Sequence, residues 1–269
     1  MTKRILVTGA TDGIGLETAK RLYRAGHEII IHGRNADKLA AARQQLIAQQ
    51  GEGTVHECQA DLSHLGQVEA LAEEIKNRFH SLDVIINNAG ILRNDAPITA
   101  SGHDIRFVVN TLAPYLLTRR LTPALASDAR IINLSSAAQA AVEWQALKGE
   151  KQLDPMQAYA QSKLALTMWS SALSGEKAYR GRVMVAVNPG SLLASKMVKE
   201  GFGVAGKSLS IGADILVKAA LSASFSQASG RYFDNDEGRF GTPHKDARDT
   251  DKCHQLVTLL DQLLRLARE

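Results

Sequence analysis

The sequence predicts a single-domain α/β protein, a doubly wound parallel sheet of about seven strands with helices on both faces. Three observations carry this. Short β-branched apolar runs recur along the chain, segments of helical periodicity separate them, and no internal repeat interrupts the alternation. Strand–helix alternation builds a parallel sheet, and strands that read as unbroken apolar runs are covered on both faces. At 269 residues, 45% apolar and 22% charged, the chain is long enough to bury one large core.

The elements follow in order. "RILVT" (4–8), "EIIIH" (28–32), "TVHEC" (54–58), "DVIIN" (83–87), "RIINLS" (130–135) and "RVMVAVN" (182–188) are the strands. Between them "GLETAKRLYRAG", "NADKLAAARQQLIAQQ", "QVEALAEEIKNRF" and "HDIRFVVNTLAPYLLTRRL" space their apolar residues as helices do. "DKCHQLVTLLDQLLRLAR" (251–268) is an amphipathic terminal helix, serving core packing or an oligomer contact. Two regions break the rhythm: 137–157, and 191–249, which is rich in Gly and Ser and then reads "RYFDNDEGRFGTPHKDARD". Long irregular segments in such a domain are functional or mobile.

The formal charge is +4, from 32 basic and 28 acidic residues that are interspersed. No Lys/Arg stripe forms, which argues against a nucleic-acid or membrane-surface partner. Cys58 and Cys253 are isolated, so neither a disulfide framework nor a metal site is expected. Strand-like sequence begins at once with "RILVTG", leaving no room for a signal peptide, and no apolar run reaches membrane-spanning length. A soluble, cytoplasmic protein is the expectation.

"VTGATDGIG" joins the first strand to the first helix, with Gly9, Gly13 and Gly15 at the turn and Thr11, Asp12 and Ile14 among them. A tight glycine turn lets the backbone approach a pyrophosphate at the positive end of a helix, and side chains would hold it away. The second strand ends "IIIHGRN", putting Gly33 and Arg34 where an NAD-selective site needs a carboxylate. An acid would repel a 2′-phosphate, whereas Arg34 can grip it in a bidentate way, so NADP(H) is expected rather than NAD. Asp37 reads as a first-turn residue of the next helix, favourable to its dipole.

The spacing Thr-Gly-x-x-x-Gly-x-Gly resembles the short-chain dehydrogenase/reductase family, and further motifs follow in the family's order over residues 5–190. These are "ADLS" (60–63), "NNAG" (87–90), "NLSS" (133–136), "YAQSK" (159–163) and "NPG" (188–190). The resemblance implies one Rossmann-type NAD(P)-binding domain over 1–269, and hydride transfer between NADP(H) and a carbonyl or alcohol carbon. It implies that Asp61, with Leu62 beside it, contacts the adenine; helix capping by Asp61 or Ser63 is the competing reading. It further implies that Asn88, Ala89 and Gly90 line the cofactor, while Pro189 and Gly190 shape the nicotinamide pocket. The nicotinamide amide would be met by Ser191 or Ser195, with Ser195 preferred, or by the backbone of Leu192. Asp12 stands where many NADP-dependent relatives carry a basic residue, which points the other way on cofactor choice.

"MQAYAQSKLAL" sets Tyr159 one helical turn before Lys163. Alone this is a surface pair; beside the other motifs it reads as a device for tuning an acid/base. To act near neutrality a phenol must descend roughly three units from 10, worth about 4 kcal/mol, and a neighbouring cation favours the phenolate. The resemblance also makes Lys163 a ligand of the cofactor ribose. It makes Ser136, second of the serine pair and so chosen over Ser135, the donor that polarises the carbonyl. Asn110, within "FVVNTLAPYLL", would belong to a water-mediated proton relay. Pro114 has no N–H to offer the Asn110 carbonyl, which leaves that carbonyl for the relay water.

The interval from Ser136 to Tyr159 is longer than in the best-known members and is similar to that of retinol-dehydrogenase-like and carbonyl-reductase-like ones. The extra segment, 137–157, is expected beside the active-site mouth, with Trp144 lining the pocket or packing. Residues 191–249 are expected to form a substrate loop or lid and a variable C-terminal region. "GSLLASKMVKEGFGVAG" mixes apolar and flexible residues, as a lid over a moderately apolar carbonyl or alcohol substrate would. Family members associate through the helices carrying Asn110 and Tyr159, but the insertion would block that surface, so a homo-oligomer and a monomer both stay open. The rival function is a dinucleotide-sensing regulator of the same fold; such proteins typically lack the Tyr or the Lys, and here all four catalytic positions are filled.

Overall fold

In the computed structural model, which describes residues 1–194 and 206–266, the strands divide their side chains between two apolar layers. Leu6, Ile30, Ile85, Ile131 and Met184 point into one layer, and their neighbours Ile5, Ile29, Val84, Ile132 and Val185 into the other. Both faces are buried, which is why the runs are apolar without alternation.

The strands are β1 (Arg4–Val7), β2 (Glu28–Gly33), β3 (Thr54–Gln59), β4 (Leu82–Asn87), β5 (Leu125–Leu134), β6 (Val183–Asn188), β7 (Tyr232–Asp234) and β8 (Arg239–Gly241). They lie in the order β3-β2-β1-β4-β5-β6-β7-β8, all parallel except β8, which runs antiparallel to β7. From β3 at one edge the chain returns to lay β4 on the other side of β1. That reversal opens a crevice beyond the carboxyl ends of β1 and β4, where ligands of such sheets bind. Eight strands replace the seven or so expected. β7 and β8 come from "RYFDNDEGRFG", read above as irregular; each has three residues, too few to show a period, and their turn uses Gly238 at φ +67°.

Helices α1 (Gly13–Arg24), α2 (Ala36–Ile47) and α7 (Leu209–Leu221) cover one face. The other face carries α3 (Leu65–Arg78), a composite α4, the short α5 (Trp144–Leu147), α6 (Pro155–Ser174) and α8 (Thr250–Leu266). Their caps are polar residues just outside each start. Asn35 accepts from Lys38 N–H at 2.9 Å, and Asp154 from Met156 and Gln157 N–H at 3.0 Å. Asp37 does sit in the first turn of α2.

Helix α7 lies inside the region read as irregular. Its Gly212 marks a close crossing rather than a flexible loop, since a Cβ there would stand 2.7 Å from Leu193 Cδ1 and 3.2 Å from Ile14 Cδ1. α4 joins an α turn (Ile105–Phe107), a π-helical stretch (Val108–Leu112) and an α-helix (Ala113–Leu121). The Ala113 N–H bonds the Val108 carbonyl, five residues back. The break falls where Pro114 removes a donor, and π turns of this kind recur at functional sites. α8 packs into the core through Leu256, Val257, Leu260 and Leu264. Among the described residues no helix is long and apolar enough to cross a membrane.

Candidate active site

The glycine turn is shaped by its neighbours. Gly9 and Gly13 take φ +63° and +57°. A Cβ on Gly15 would stand 2.3 Å from Asn88 Nδ2 and 2.4 Å from the Gly9 carbonyl oxygen, so only glycine fits. Asn88 Nδ2 donates to the Thr8 and Gly9 carbonyls at 2.8 and 3.0 Å, while Thr8 Oγ1 accepts from the Asn88 and Ala89 N–H groups. "NNAG" is thus the brace of the turn. Asp12 caps α1, its carboxylate accepting from Gly13 N–H at 2.7 Å.

Sequence reasoning passed over His32. Gly9 N–H donates to its Nδ1 at 3.3 Å, so Nε2 carries the hydrogen and donates to the Ala60 carbonyl at 3.0 Å. Burial pushes its pKa down to about 4 and keeps the ring neutral.

A cavity of about 500 Å³ runs from this turn across the crevice. It brings together Gly9, Thr11, Asp12, Gly13, Ile14, Gly15, Arg34, Asp61, Leu62, Asn88, Ala89, Gly90, Tyr159, Lys163 and Pro189. Gly190, Leu192, Asn110 and Ser136 are not among its lining residues, and Ser195 lies outside the described residues. Lys38 is a lining residue that the sequence reading missed. The signal was present in "RNADK": with Asn35 as cap, Lys38 falls in the first turn of α2, one turn past Arg34.

Neither Asp61 nor Ser63 caps α3, whose N-cap is His64 without a side-chain bond. Asp61 lines the cavity, and its carboxylate accepts from the Ser63 N–H and hydroxyl at 2.9 and 2.7 Å. Burial pushes its pKa up, but the Ser63 bonds, His64 and Arg34 outweigh that and leave it below the usual carboxylate range.

At the other end α6 presents Tyr159 and Lys163 on successive turns. Lys163 is buried, with 3% exposure. Its Nζ donates to the Leu134 carbonyl at 2.7 Å and stands 5.8 Å from the Tyr159 ring centroid. Ser136 lies close enough to the phenol to pull its pKa down, and its hydroxyl accepts from Ala138 N–H at 3.1 Å. Ser135 does not point that way: its hydroxyl is 2.6 Å from Thr167 Oγ1 and 3.4 Å from the Lys163 carbonyl. The Ser136 carbonyl is held by Gln139 Nε2 at 3.0 Å and the Tyr232 hydroxyl at 3.2 Å, two further donors that the sequence reading missed.

The expected lowering of the phenol is not found. Burial raises the Tyr159 pKa above 10, and Ser136, which pulls the other way, does not offset it. Lys163 does not offset this: burial lowers its own pKa to about 8, which leaves it charged near neutrality but not above that value. A cation can stabilise a neighbouring phenolate only while it keeps its charge.

Asn110, fully buried, uses its side chain as a staple. Oδ1 accepts from Ile91 N–H at 2.8 Å, and Nδ2 donates to the Ile91 carbonyl and Ser162 Oγ at 3.0 Å. Ser162 in turn donates to the Tyr159 carbonyl at 2.7 Å. The segment after "NNAG" is thereby tied to α6. Trp144 packs against the core with Val142 and Leu153. Among the described residues no group of three or more His, Cys, Asp or Glu could hold a metal ion.

The sequence profile of the family described as short chain dehydrogenase matches residues 3–203. Retinol dehydrogenase 13 of Mus musculus is 30% identical over 284 residues, covering 98% of this chain and 84% of the relative. The Homo sapiens protein of that name is 31% identical, covering 94% and 82%. Among solved structures, a protein from Mycobacterium Paratuberculosis superposes with a TM-score of 0.80 at 26% identity, covering 98% of this chain and 93% of that one. A short chain dehydrogenase from Escherichia coli CFT073, complexed with NADPH, superposes at 0.69 with 25% identity, covering 87% and 96%.

Proposed function

The chain belongs to the short-chain dehydrogenase family and is an oxidoreductase, and we propose that it uses NADP(H) to interconvert an aldehyde or ketone with its alcohol. One observation carries the proposal. A single cavity has Arg34 and Lys38 at one end and Tyr159 with Lys163 at the other.

The residues present fit a dinucleotide. The turn has no room for a Cβ at Gly9 or Gly15 and leaves backbone N–H groups and the positive end of α1 for a pyrophosphate. Arg34 and Lys38 offer two cations to a 2′-phosphate, where an NAD-selective site would carry an acid. When bound, the nicotinamide supplies or accepts the hydride.

The chain's own residues manage the proton. Tyr159 Oη, beside Ser136, carries its hydrogen at neutral pH as an ordinary phenol does, and burial strengthens that hold. As a general acid it gives that hydrogen to the oxygen of a carbonyl under reduction, and the same atom takes it back in the reverse reaction. Ser136 polarises that oxygen, and Lys163 fixes the base of the site through Leu134. Asn110 positions α6 through Ser162 and Ile91.

Ile91, Ile105 and Val109 give the cavity an apolar wall, consistent with a moderately apolar substrate. Residues 137–157 run beside the first turns of α6, where Ala140 N–H donates to the Ala160 carbonyl at 3.4 Å.

The test is loss of NADPH absorbance over a panel of aldehydes and ketones, with NADH in parallel. Tyr159→Phe should lower turnover about 100-fold or more while still binding NADPH. A Phe variant as fast as the parent would overturn the assignment.

A further inference from the structure

The stretch "DNDEG" (234–238), left without a role by the sequence, is the tip of the β7–β8 hairpin, and it grips the "NPGSL" loop (188–192) at several points. Asp236 Oδ1 accepts from Ser191 N–H at 2.9 Å, and its Oδ2 from Ser191 Oγ at 2.5 Å and Asn188 Nδ2 at 2.9 Å. Asn235 N–H donates to the Asn188 carbonyl at 3.2 Å, and Asn235 Nδ2 donates to the Pro189 carbonyl at 2.9 Å and the Ile211 carbonyl at 3.3 Å. Asn188 completes the set by donating to Asp234 Oδ1 at 2.9 Å and accepting from Gly190 N–H at 3.2 Å. Both flanks of the Pro189–Gly190 peptide are therefore pinned from outside the loop.

The loop needs such support. Leu192 adopts φ +54°, rare for a side-chain-bearing residue, while its side chain is exposed at 45% and finds little packing. Strained backbone persists only where its surroundings over-determine it.

We propose that Asn235 and Asp236 are positioning residues, a latch that holds the 188–192 loop in the shape that receives the nicotinamide end of the cofactor. This rests on the function proposed above. Pro189 is the link to it: its carbonyl is taken by Asn235, and the residue itself lines the cavity. The chemistry requires an acid at 236. Its two oxygens meet three donors and no acceptor, so an amide would turn its own N–H groups against donors.

Asp236→Asn is the decisive variant, with Glu237→Gln as control, since Glu237 is exposed and pairs with exposed Arg239 at 3.4 Å. In Asp236→Asn the amides of Ser191–Leu193 should exchange faster than in the parent. NADPH should bind about five- to tenfold more weakly, the effect of losing charge-assisted hydrogen bonds that pre-organise the loop. Adenosine 2′,5′-bisphosphate, which fills only the Arg34 end, should bind as before. Unchanged exchange, unchanged NADPH affinity, or equal weakening of both ligands would each overturn the latch. A parent protein that turns over no carbonyl would defeat the proposed reaction instead, and the exchange and binding measurements would still decide the latch.

Discussion

Replacing Lys163 by Met should strengthen the fold near neutral pH while abolishing turnover. The ammonium is buried and its pKa is lowered from 10.5 to about 8. Below about 8 both the folded and unfolded chains carry the proton, and the folded chain holds it at a cost. Between about 8 and 10.5 only the unfolded chain holds it, so stability rises with pH across that window. The shift corresponds to roughly 3 kcal/mol of destabilisation around pH 7, which Met removes. Met also leaves the Leu134 carbonyl without its donor, a loss of about 1–2 kcal/mol. The variant should therefore exceed the parent by about 1–2 kcal/mol around pH 7. The difference between the two should change by about 2 kcal/mol, in the parent's favour, by about pH 9.5. For a chain of this length that is roughly 4–8 °C in melting temperature, read by thermal unfolding of cofactor-free protein at the two pH values. Groups common to both proteins cancel in the difference. Parallel stability across the two pH values, or a variant that reduces its substrate as fast as the parent, would refute the reasoning.

Two further substitutions probe the ends of the cavity. Arg34→Leu combined with Lys38→Leu should lower kcat/KM for NADPH about 100-fold, the worth of roughly 3 kcal/mol of charge-assisted binding, and leave NADH within a few-fold, measured by initial rates with both cofactors. Ser136→Ala should lower kcat by at least about tenfold with little change in melting temperature. Ser135→Ala should do the reverse, because its hydroxyl is spent on Thr167 inside the core.

The legible part of this chain was the part whose signal is local. Apart from β3, the partly exposed edge strand, each of the first six strands holds an apolar run long enough to read, because an inner parallel strand buries both faces. The glycine turn was legible because its spacing is carried within seven residues, although Asn88 and Ala89 supply part of the steric limit. α7, β7 and β8 were not, because what makes them is remote. Gly212 answers to Leu193 and Ile14, and three-residue strands are held by their partners. His32 and Lys38 were missed for a similar reason: one is explained by Gly9 and Ala60, the other by sharing a cavity with Arg34. The direction of the Tyr159 shift could not come from spacing at all. Residues one turn apart guarantee proximity, but how far the phenol and the amine shift depends on the burial around them, which "YAQSK" does not encode.

That burial follows from how α6 is held. A helix apolar on nearly every side needs a wall on each of them, and α6 has them. The sheet lies on one side, with Lys163 Nζ bonded to the last residue of β5. α4 flanks it, Thr111 donating to the Ser162 carbonyl at 2.9 Å. α8 closes the remainder through Leu256 and Leu260, while Tyr115 meets Trp169 edge-on at 5.7 Å between centroids and donates to Asp261 at 2.8 Å. Such packing leaves Tyr159 and Lys163 few alternative positions, as acid/base chemistry requires of its groups. The same walls strip water from the amine and lower its pKa. Precision of placement and destabilisation of the charge thus have one cause. A variant that gains stability by removing the charge should lose the reaction with it.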